Sequence, residues 1–326
     1  MLRRISFYFC IIASAKLFQA YEYDRDISYK MALLSAAAYA DNPEACLFNI
    51  FGDKIWQNIT QKTFRDNTSN SISAFAAVSH DSKVILLSFR GTTDVVQLLK
   101  QVASFWKKDN FHNKGYVLEY WNVAFKGIYQ KLEKTFINNA MKYDSYSMWI
   151  TGHSLGAALA SLAAMQIVID YPILADRIVF YTFGQPRVGD YTYAMNHDQM
   201  VNNSFRVVDY IDPVVHLPPC RLLAVEETCS TSYAYHHGLE VFYDTDHMVE
   251  SSNFTVCKGL PKDEDMHCSN KYTFQCLVNL KDCISYHTHY YQIDLGEFHK
   301  TSNCSLKQYK EAIPMTKIRK HAYSSA

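Results

Sequence analysis

The sequence lacks any imbalance of charge. Its 326 residues include 32 Lys and Arg against 32 Asp and Glu. Proteins that bind nucleic acid through phosphate contacts carry an excess of basic residues, so the balance argues against a nucleic-acid partner. The chain also has no internal repeat and no low-complexity linker, and 48% of its residues are hydrophobic. This composition excludes a disordered or collagen-like chain, and the length allows two domains or one large α/β domain.

Long hydrophobic runs are also missing. Beyond the N-terminus no segment offers about 20 apolar residues without a charge, so no transmembrane helix is predicted. At the N-terminus, Arg3 and Arg4 precede an apolar run over residues 5–15 that is too short to span a bilayer. A basic start before a short apolar run is typical of a secretory signal peptide.

The predicted signal peptide covers residues 1–20, with cleavage after Ala15 or Ala20. The alternative is a buried N-terminal helix, but the chain turns polar at Tyr21 and favours the signal. We therefore expect a secreted, extracellular protein. Its single domain spans residues 21–304, and a basic C-terminal tail follows at residues 305–326.

The cysteine count agrees with secretion. Cys10 lies in the signal, and the even number that remains predicts four disulfides: Cys46, Cys220, Cys229, Cys257, Cys268, Cys276, Cys283 and Cys304. Proximity along the chain favours a pair between Cys220 and Cys229, and the four from Cys257 to Cys283 allow three pairings. Zinc is the alternative use of those four, but they lack CxxC spacing and we expect no metal ion. Five sequons predict N-glycosylation, at Asn58, Asn67, Asn202, Asn253 and Asn303.

Helical and strand patterns alternate along the chain. Helical spacing predicts helices over residues 27–40, 116–140 and 155–171, the last ended by Pro172. Apolar runs predict strands over residues 74–78, 84–89, 146–151, 178–183 and 205–208, the first two turned at residues 80–82. This order indicates an α/β fold with a mainly parallel sheet covered on both faces. Beyond Pro218 the pattern breaks into short strands and Cys-rich loops.

One motif carries the chemistry. Gly152-His153-Ser154-Leu155-Gly156 follows a predicted strand and opens a predicted helix, which is the context of a nucleophile elbow. The turn raises the serine hydroxyl above the sheet, and the amide of Leu155 can donate to a developing oxyanion. The alternative is a helix start rich in small residues without catalysis. The strand before it and the Ala-rich helix after it favour the elbow.

Two further blocks accompany the elbow: Phe89-Arg90-Gly91-Thr92 upstream and Phe183-Gly184-Gln185-Pro186-Arg187-Val188-Gly189 downstream. Together they resemble the class 3 lipase family, whose best-known members are secreted fungal triacylglycerol lipases. The resemblance runs from about residue 27 to residue 304. It implies an α/β-hydrolase fold with a lid helix over the active site, a disulfide between Cys46 and Cys304, and no cofactor.

The resemblance also implies a Ser-Asp-His triad in that chain order. Residues 206–219 are similar to the family's acid block and place the acid at Asp212, with Asp209 inside the strand as its rival. Residues 287–291 are similar to the C-terminal His block, which makes His287 the general base and His289 the second choice. The family's second oxyanion donor falls on Thr92, beside the amide of Leu155.

Family members carry a lid helix after the position of Thr92. Here an apolar stripe at helical spacing would face the lipid: Val95, Leu98, Leu99, Val102 and Trp106. The alternative is a helix packed in the core that never opens. The family's Asn-Trp pair is replaced by Gln97-Leu98, and residues 117–121 stand where the family has His-x-Gly-Phe. Both departures affect acyl-chain preference and lid behaviour but not the triad.

These observations predict a secreted carboxylic-ester hydrolase that works through an acyl-enzyme. The leading hypothesis is a triacylglycerol lipase that meets a lipid or other ester substrate at an oil–water or membrane interface, as a monomer. The nearest alternative is an esterase on soluble, feruloyl or phospholipid esters. A catalytically dead lipid-binding protein is the alternative from another class. A carbohydrate-binding surface protein would rest only on the 24 tyrosines.

Overall fold

The computed structural model describes residues 22–65, 71–92, 94, 107–220, 222–223, 228–231, 233–258, 263–273, 275–277 and 280–312. The predicted signal peptide, the sequon at Asn67 and the predicted lid residues Val95, Leu98, Leu99, Val102 and Trp106 lie outside the described residues.

Polar caps start the first two helices. Asp24 accepts a hydrogen bond from Ile27 N at the start of helix α1, and Asn42 accepts hydrogen bonds at the start of helix α2, which has Pro43 in its first turn. The described helices are α1 (Arg25–Ala37), α2 (Pro43–Phe51), α3 (Glu119–Tyr129), α4 (Glu133–Lys142), α5 (Leu155–Asp170), α6 (Tyr191–Met200), α7 (Leu280–Thr288), α8 (Phe298–Ser302) and α9 (Leu306–Ala312).

Eight of the described strands form one sheet in the order β1-β2-β3-β6-β7-β9-β13-β14. They are β1 (Gln57–Arg65), β2 (Ser71–Ser79), β3 (Val84–Phe89), β6 (Ser147–His153), β7 (Ile178–Phe183), β9 (Ser204–Asp209), β13 (Leu239–Tyr243) and β14 (Thr255–Cys257). The five strands from β3 to β13 run parallel, and antiparallel strands flank them on both sides. The carboxyl ends of the parallel strands therefore meet at one edge, where α/β proteins place their sites.

Short strands make three smaller sheets among the described residues. Four of them pair in the order β12-β8-β5-β4, and the others form the pairs β10-β11 and β15-β16. Their bounds are β4 (Lys108–Asn110), β5 (Tyr116–Leu118), β8 (Gly189–Asp190), β10 (Leu222–Leu223), β11 (Thr228–Cys229), β12 (Ala234–Tyr235), β15 (His289–Tyr290) and β16 (Ile293–Asp294).

Helices cover both faces of the large sheet. Side chains from α3, α4 and α5 share one buried cluster with alternate residues of β2 and β3. The other alternate residues of those strands share a second cluster with α1, α2, α8 and α9. The alternation follows from the two-residue period of a strand, since each face of the sheet packs on its own helix layer. The α/β fold inferred from the sequence is therefore the observed one.

The predicted helix over residues 116–140 is wrong as a single element. Residues 116–118 form strand β5, and a turn at residues 130–132 separates α3 from α4. Ile128 before that turn and Leu132 at its last position are both fully buried in the same cluster. Because the apolar spacing continues across the break, the pattern alone does not locate it.

The C-terminal boundary also needs correction. Helix α9 lies within the segment predicted as a basic tail, and Tyr309 is buried against Phe298. The Tyr309 hydroxyl accepts a hydrogen bond from Asp294 N at 2.7 Å. The folded domain therefore extends past residue 304, and any tail begins after α9.

Four disulfides join the cysteines outside the predicted signal: Cys46–Cys304, Cys220–Cys229, Cys257–Cys268 and Cys276–Cys283. The first links α2 to the turn before α9 across 258 residues, and the other three close short loops. The four sulfurs considered for zinc are all engaged in disulfides. Across the described residues, no helix has the length and apolar character needed to cross a bilayer.

Candidate active site

Ser154 lies in a strained turn between strand β6 and helix α5. Its φ is +59° and its ψ is −127°, a conformation that non-glycine residues rarely adopt. The turn is held by a hydrogen bond of 3.0 Å from Ser154 N to Phe183 O in the neighbouring strand. A Cβ on Gly156 would collide with the carbonyl of Phe89, and one on Gly152 would collide with the backbone of Gly156. Both glycines are therefore required by close backbone approach.

Asp212 follows strand β9 and is fully buried. Its carboxylate accepts hydrogen bonds from Val214 N at 2.8 Å and from the Tyr290 hydroxyl at 2.9 Å. Burial alone would raise the pKa of Asp212, but the adjacent His287 and these two donors lower it below its ordinary value. Asp212 is therefore held as an anion in the interior.

The rival, Asp209, has the opposite electrostatic environment. It is the last residue of β9 and fully buried, and it accepts one hydrogen bond from Met248 N at 3.3 Å. Burial raises the pKa of Asp209 well above its ordinary value, and the negative charge of Asp212 adds to the effect. The pKa values of the two carboxyls are thus shifted in opposite directions, and the carboxyl with the lowered pKa contacts the histidine.

His287 comes from the last turn of helix α7 and is fully buried. Its Nδ1 lies 3.0 Å from both carboxylate oxygens of Asp212, so Nδ1 carries the proton and donates it. This tautomer leaves the lone pair on Nε2. Within the described part of the chain, His287 Nε2 and Ser154 Oγ are both buried and neither has a hydrogen-bond partner.

Gly184 lies directly beside the Asp212–His287 pair. It follows Phe183, which binds Ser154 N, and its φ is +57°. A Cβ at this position would lie 2.7 Å from His287 Nδ1 and 2.8 Å from an oxygen of Asp212. The absence of a side chain at Gly184 therefore lets the acid–base pair approach the elbow strand.

His153 and Tyr39 support the site, and neither is among the site residues predicted from the sequence. His153 Nε2 donates to the carbonyl of His287 at 2.7 Å, so its Nδ1 accepts from the Tyr39 hydroxyl at 2.8 Å. Burial lowers the pKa of His153 to about 3, with the neighbouring His287 as the next cause. A neutral His153 therefore braces the backbone of His287 without competing for Asp212. Neighbouring the elbow serine is the only sequence signal for His153.

Tyr290 lies in the C-terminal His block of residues 287–291 and contacts the acid. Its hydroxyl donates to Asp212, while His289 contacts Ser285 O at 3.0 Å and Thr288 Oγ1 at 2.9 Å. His289 is therefore engaged away from Asp212, and the second-choice histidine does not occupy the pair. A tyrosine three residues after the histidine is the signal that could have identified the role of Tyr290.

Thr92 follows strand β3 and is half-buried. Its hydroxyl oxygen accepts a hydrogen bond from Asp94 N at 3.2 Å, which leaves the hydroxyl proton available to another acceptor. Gly91 before it packs so closely on Tyr39 and on the His153 carbonyl that a Cβ would collide with both. Thr92 and the elbow therefore lie at the same edge of the sheet.

Three described clusters combine possible metal ligands, and two of them contain the cysteines of the disulfides Cys220–Cys229 and Cys257–Cys268. The third consists of two histidines and an aspartate. Ligand atoms of His197, Asp198 and His237 lie within 4.8 Å of one another. The two imidazoles stack with centroids 3.5 Å apart, however, and His237 Nε2 is hydrogen-bonded to Ser161 Oγ at 2.7 Å. Stacked rings direct their in-plane lone pairs side by side rather than toward one ion, so this arrangement fits packing better than coordination.

Comparison with known proteins places this geometry in a family. Residues 86–222 match the family described as Lipase (class 3). A Caenorhabditis elegans protein named "Lipase ZK262.3" is 32% identical over 298 residues, which cover 86% of this chain and 82% of that protein. "Secreted mono- and diacylglycerol lipase A" of Penicillium cyclopium is 29% identical over 161 residues, 48% of this chain and 50% of the relative.

A solved structure shares the fold. The "Rhizomucor miehei lipase propeptide complex, native" superimposes with a TM-score of 0.67 at 24% identity, over 83% of this chain and 81% of that chain. The parallel sheet, the strained serine turn and the sequence matches agree. The chain therefore belongs to the class 3 lipase family, and it is a serine ester hydrolase with the α/β-hydrolase fold.

Proposed function

We propose that this chain is a secreted lipase that hydrolyses glyceride esters with Ser154 as nucleophile, His287 as general base and Asp212 as the acid of the triad. One observation supports the proposal most directly. His287 donates its Nδ1 proton to a buried, ionised Asp212, and its free Nε2 shares the interior with a free Ser154 Oγ. This is the protonation pattern that a Ser-His-Asp triad needs before the substrate binds.

The reaction follows from these positions. His287 Nε2 removes the Ser154 proton while Oγ attacks the ester carbonyl, and the charge of Asp212 stabilises the imidazolium that forms. The amide of Leu155 and the amide and hydroxyl of Thr92 bind the oxyanion. The imidazolium then protonates the leaving alcohol, and His287 activates a water that hydrolyses the acyl-enzyme. Each oxyanion donor lowers the activation barrier by about 3 kcal/mol in comparable enzymes.

The substrate class is a glyceride with long apolar chains. The support comes from the names of the relatives, two of which are a lipase and a mono- and diacylglycerol lipase. The apolar stripe predicted between Val95 and Trp106 would give such a substrate an interface to enter from. We therefore propose action on triacylglycerol or a partial glyceride at a lipid surface.

Four observations support secretion. Residues 1–20 have the pattern of a signal peptide, and four disulfides require an oxidising compartment. The sequon asparagines within the described residues are all exposed: Asn58, Asn202, Asn253 and Asn303. The Penicillium relative is named as secreted. We propose an extracellular, glycosylated monomer.

Labelling with a fluorophosphonate tests the catalytic assignment. The wild type should bind the probe, and Ser154→Ala should lose both labelling and at least about 10⁴-fold of its ester hydrolysis. Ser161→Ala is the matched control, because Ser161 is a buried serine on the same helix whose partners are Tyr193 and His237. Undiminished turnover in Ser154→Ala would refute the triad, and an unlabelled wild type would support a lipid-binding protein.

A series of esters of increasing chain length tests the substrate class. Each ester is presented dissolved and then as an emulsion. A lipase should turn over the emulsified long-chain esters faster than the dissolved ones. Equal rates in the two states would favour the esterase on soluble esters and would argue against a mobile lid.

A further inference from the structure

A groove lies between the end of helix α2 and the start of strand β1, and the proposed mechanism does not use it. Its volume is about 410 Å³, within the range of roughly 300–1,000 Å³ that small-molecule sites occupy. Apolar and polar side chains both line it: Leu47, Phe48, Trp56 and Ile59 with Glu44, Asp53, Lys54 and Asn58 among them. An aromatic wall with a few polar groups is the composition of a sugar site, since the C–H face of a sugar ring packs on an aromatic ring.

A neighbouring ring fixes the position of Trp56 in this groove. Trp56 is half-buried, and its indole packs edge-on against Phe51 with centroids 6.1 Å apart. Phe48 also lines the groove, and 55% of its surface is exposed to solvent, which is unusual for a phenylalanine. An exposed ring beside a fixed indole leaves an apolar surface that a ligand can cover.

The asparagine of one sequon, Asn58, is part of the groove lining. Asn58 is exposed, lines the groove with Trp56, and lies two residues after it in the sequence. The strand carries a β-bulge here, because the register shifts between Gln57 and Thr60 and Asn58 has a φ of +52°. The bulge gives Asn58 a left-handed backbone, so its amide does not follow the regular alternation of the strand.

We propose that the first one or two sugar residues of an N-glycan on Asn58 dock in this groove and stack on Trp56. The groove would thus be filled by the protein's own glycan, which is attached to Asn58, one of the residues that line the groove. A covalent tether of that length raises the effective concentration of the sugar to the millimolar range or above, so weak stacking is enough to hold it. The glycan then covers the exposed Phe48 and fastens β1 to α2. This inference rests on the secretion proposed above, since only a chain in the secretory pathway receives the glycan.

The test is a double-substitution cycle on the full chain secreted from a eukaryotic host. Peptide mass spectrometry first measures occupancy of the sequons. Asn58→Gln should lower the melting temperature by roughly 2 °C in the wild type and by less than half of that in Trp56→Leu. Trimming the glycan to a single N-acetylglucosamine with an endoglycosidase should keep most of the stabilisation, because the innermost sugar makes the contact.

Three variants act as controls. Asn202→Gln removes another exposed sequon and should cause the same shift in both backgrounds. Trp56→Tyr keeps an aromatic face and should keep at least half of the coupling, and Phe48→Ser removes the exposed ring without changing Trp56. These last two keep the test valid if Trp56→Leu does not fold. Ester hydrolysis should be unchanged throughout, because no proposed catalytic residue lines the groove.

The outcomes separate the two proposals. If Asn58 carries a glycan but Asn58→Gln lowers the melting temperature equally in the wild type and in Trp56→Leu, the docking proposal alone would be overturned. Glycans on the other sequons but not on Asn58 would do the same. A eukaryotic host that keeps the chain inside the cell, with no glycan on any sequon, would overturn the secretion proposal together with the docking, while the assignment of Ser154 would stand on its own experiment.

Discussion

The two halves of the candidate site are built in different ways. The serine side, which we define as β3, β6 and α5 with Thr92 and Ser154, consists of regular elements, and the sequence has no cysteine between Cys46 and Cys220. The acid–base side, residues 209–290 with Asp212 and His287, consists mainly of loops and short helices. Three of the four disulfides lie in it. Backbone hydrogen bonds and small-residue packing therefore position the nucleophile, whereas covalent and ionic links position its partners.

Buried ion pairs add to those links. Arg187 forms a bidentate pair with Glu264 at 2.7 and 2.8 Å, and Arg206 lies 3.6 Å from Glu240. Burial alone would raise the pKa of Glu264, but Arg187 lowers it below its ordinary value. The first pair ties the loop after β7 to the disulfide-rich segment, and the second joins the neighbouring parallel strands β9 and β13. Irregular structure near a catalytic pair therefore needs disulfides and buried ion pairs to hold it in place, whereas a regular βα unit does not.

The largest effect is expected from breaking the Arg187–Glu264 pair. Glu264→Gln leaves a guanidinium that is 1% exposed without its counter-charge, which should cost about 3–5 kcal/mol of stability. Chemical denaturation measures the loss, and hydrogen exchange should show the acid–base side opening before α5. The double variant Arg187→Met/Glu264→Leu removes both charges and should recover much of the stability. A double variant as weak as Glu264→Gln would show that the pair does more than compensate its own charges.

The serine side should be destabilised by added side-chain volume rather than by the loss of a charge. Gly156→Ala places a methyl group against the Phe89 carbonyl at the start of a helix with 13 of its 16 residues buried. We expect a loss of about 3 kcal/mol and of activity, because neither backbone can move away. Thermal unfolding and probe labelling of the variant give the measurement.

Gly296→Ala is the matched control for that substitution. Its nearest neighbours would be Asp294 Oδ1 at 3.5 Å and a Tyr39 carbon at 3.8 Å, which are ordinary contacts. Its stability should stay within about 0.5 kcal/mol of the wild type or rise slightly. An equal loss in both variants would mean that close packing at the elbow is not what requires Gly156.

The same contrast decides what could be predicted from the sequence. Strands β3, β6 and β7 and helix α5 were located to within a few residues, because their apolar runs and the elbow glycines are local signals. Strands β4, β8 and β12 have two or three residues each and no period to detect. The Arg187–Glu264 contact joins residues 77 apart, and no local pattern records such a pair. Asp212 and His287 were assigned by resemblance to family blocks, and their catalytic roles stay predictions.

A smaller effect is expected from the disulfide next to the acid–base pair. Cys276 and Cys283 pack with Ile211, the residue before Asp212, and Cys283 lies one turn before His287 in α7. Replacing both with Ser should cost about 2 kcal/mol, given the short loop, and should lower kcat about tenfold because it loosens both partners.

Cys257→Ser/Cys268→Ser is the matched comparison for this disulfide. It opens a loop of similar length, with a separation of 11 residues against 7, and packs against Val208 and Phe242 instead. It should cost a similar amount of stability with little change in kcat. If kcat fell equally in both double variants, the position of Cys276–Cys283 beside the pair would not matter for catalysis.

The smallest effect is expected from removing one hydroxyl group on the acid–base side. Tyr290→Phe removes the hydroxyl that donates to Asp212, which should cost about 1.5 kcal/mol, the lower end for a hydrogen bond to a charged group. Because the fold lowers the pKa of Asp212, this stabilisation is present above the unfolded pKa of about 4 and is lost as the pH falls through the folded value. The difference in unfolding free energy between the variant and the wild type should therefore be full at pH 7 and should shrink toward pH 3. A difference that is the same at both pH values would mean that the hydroxyl stabilises the protein by packing and does not act on the carboxylate.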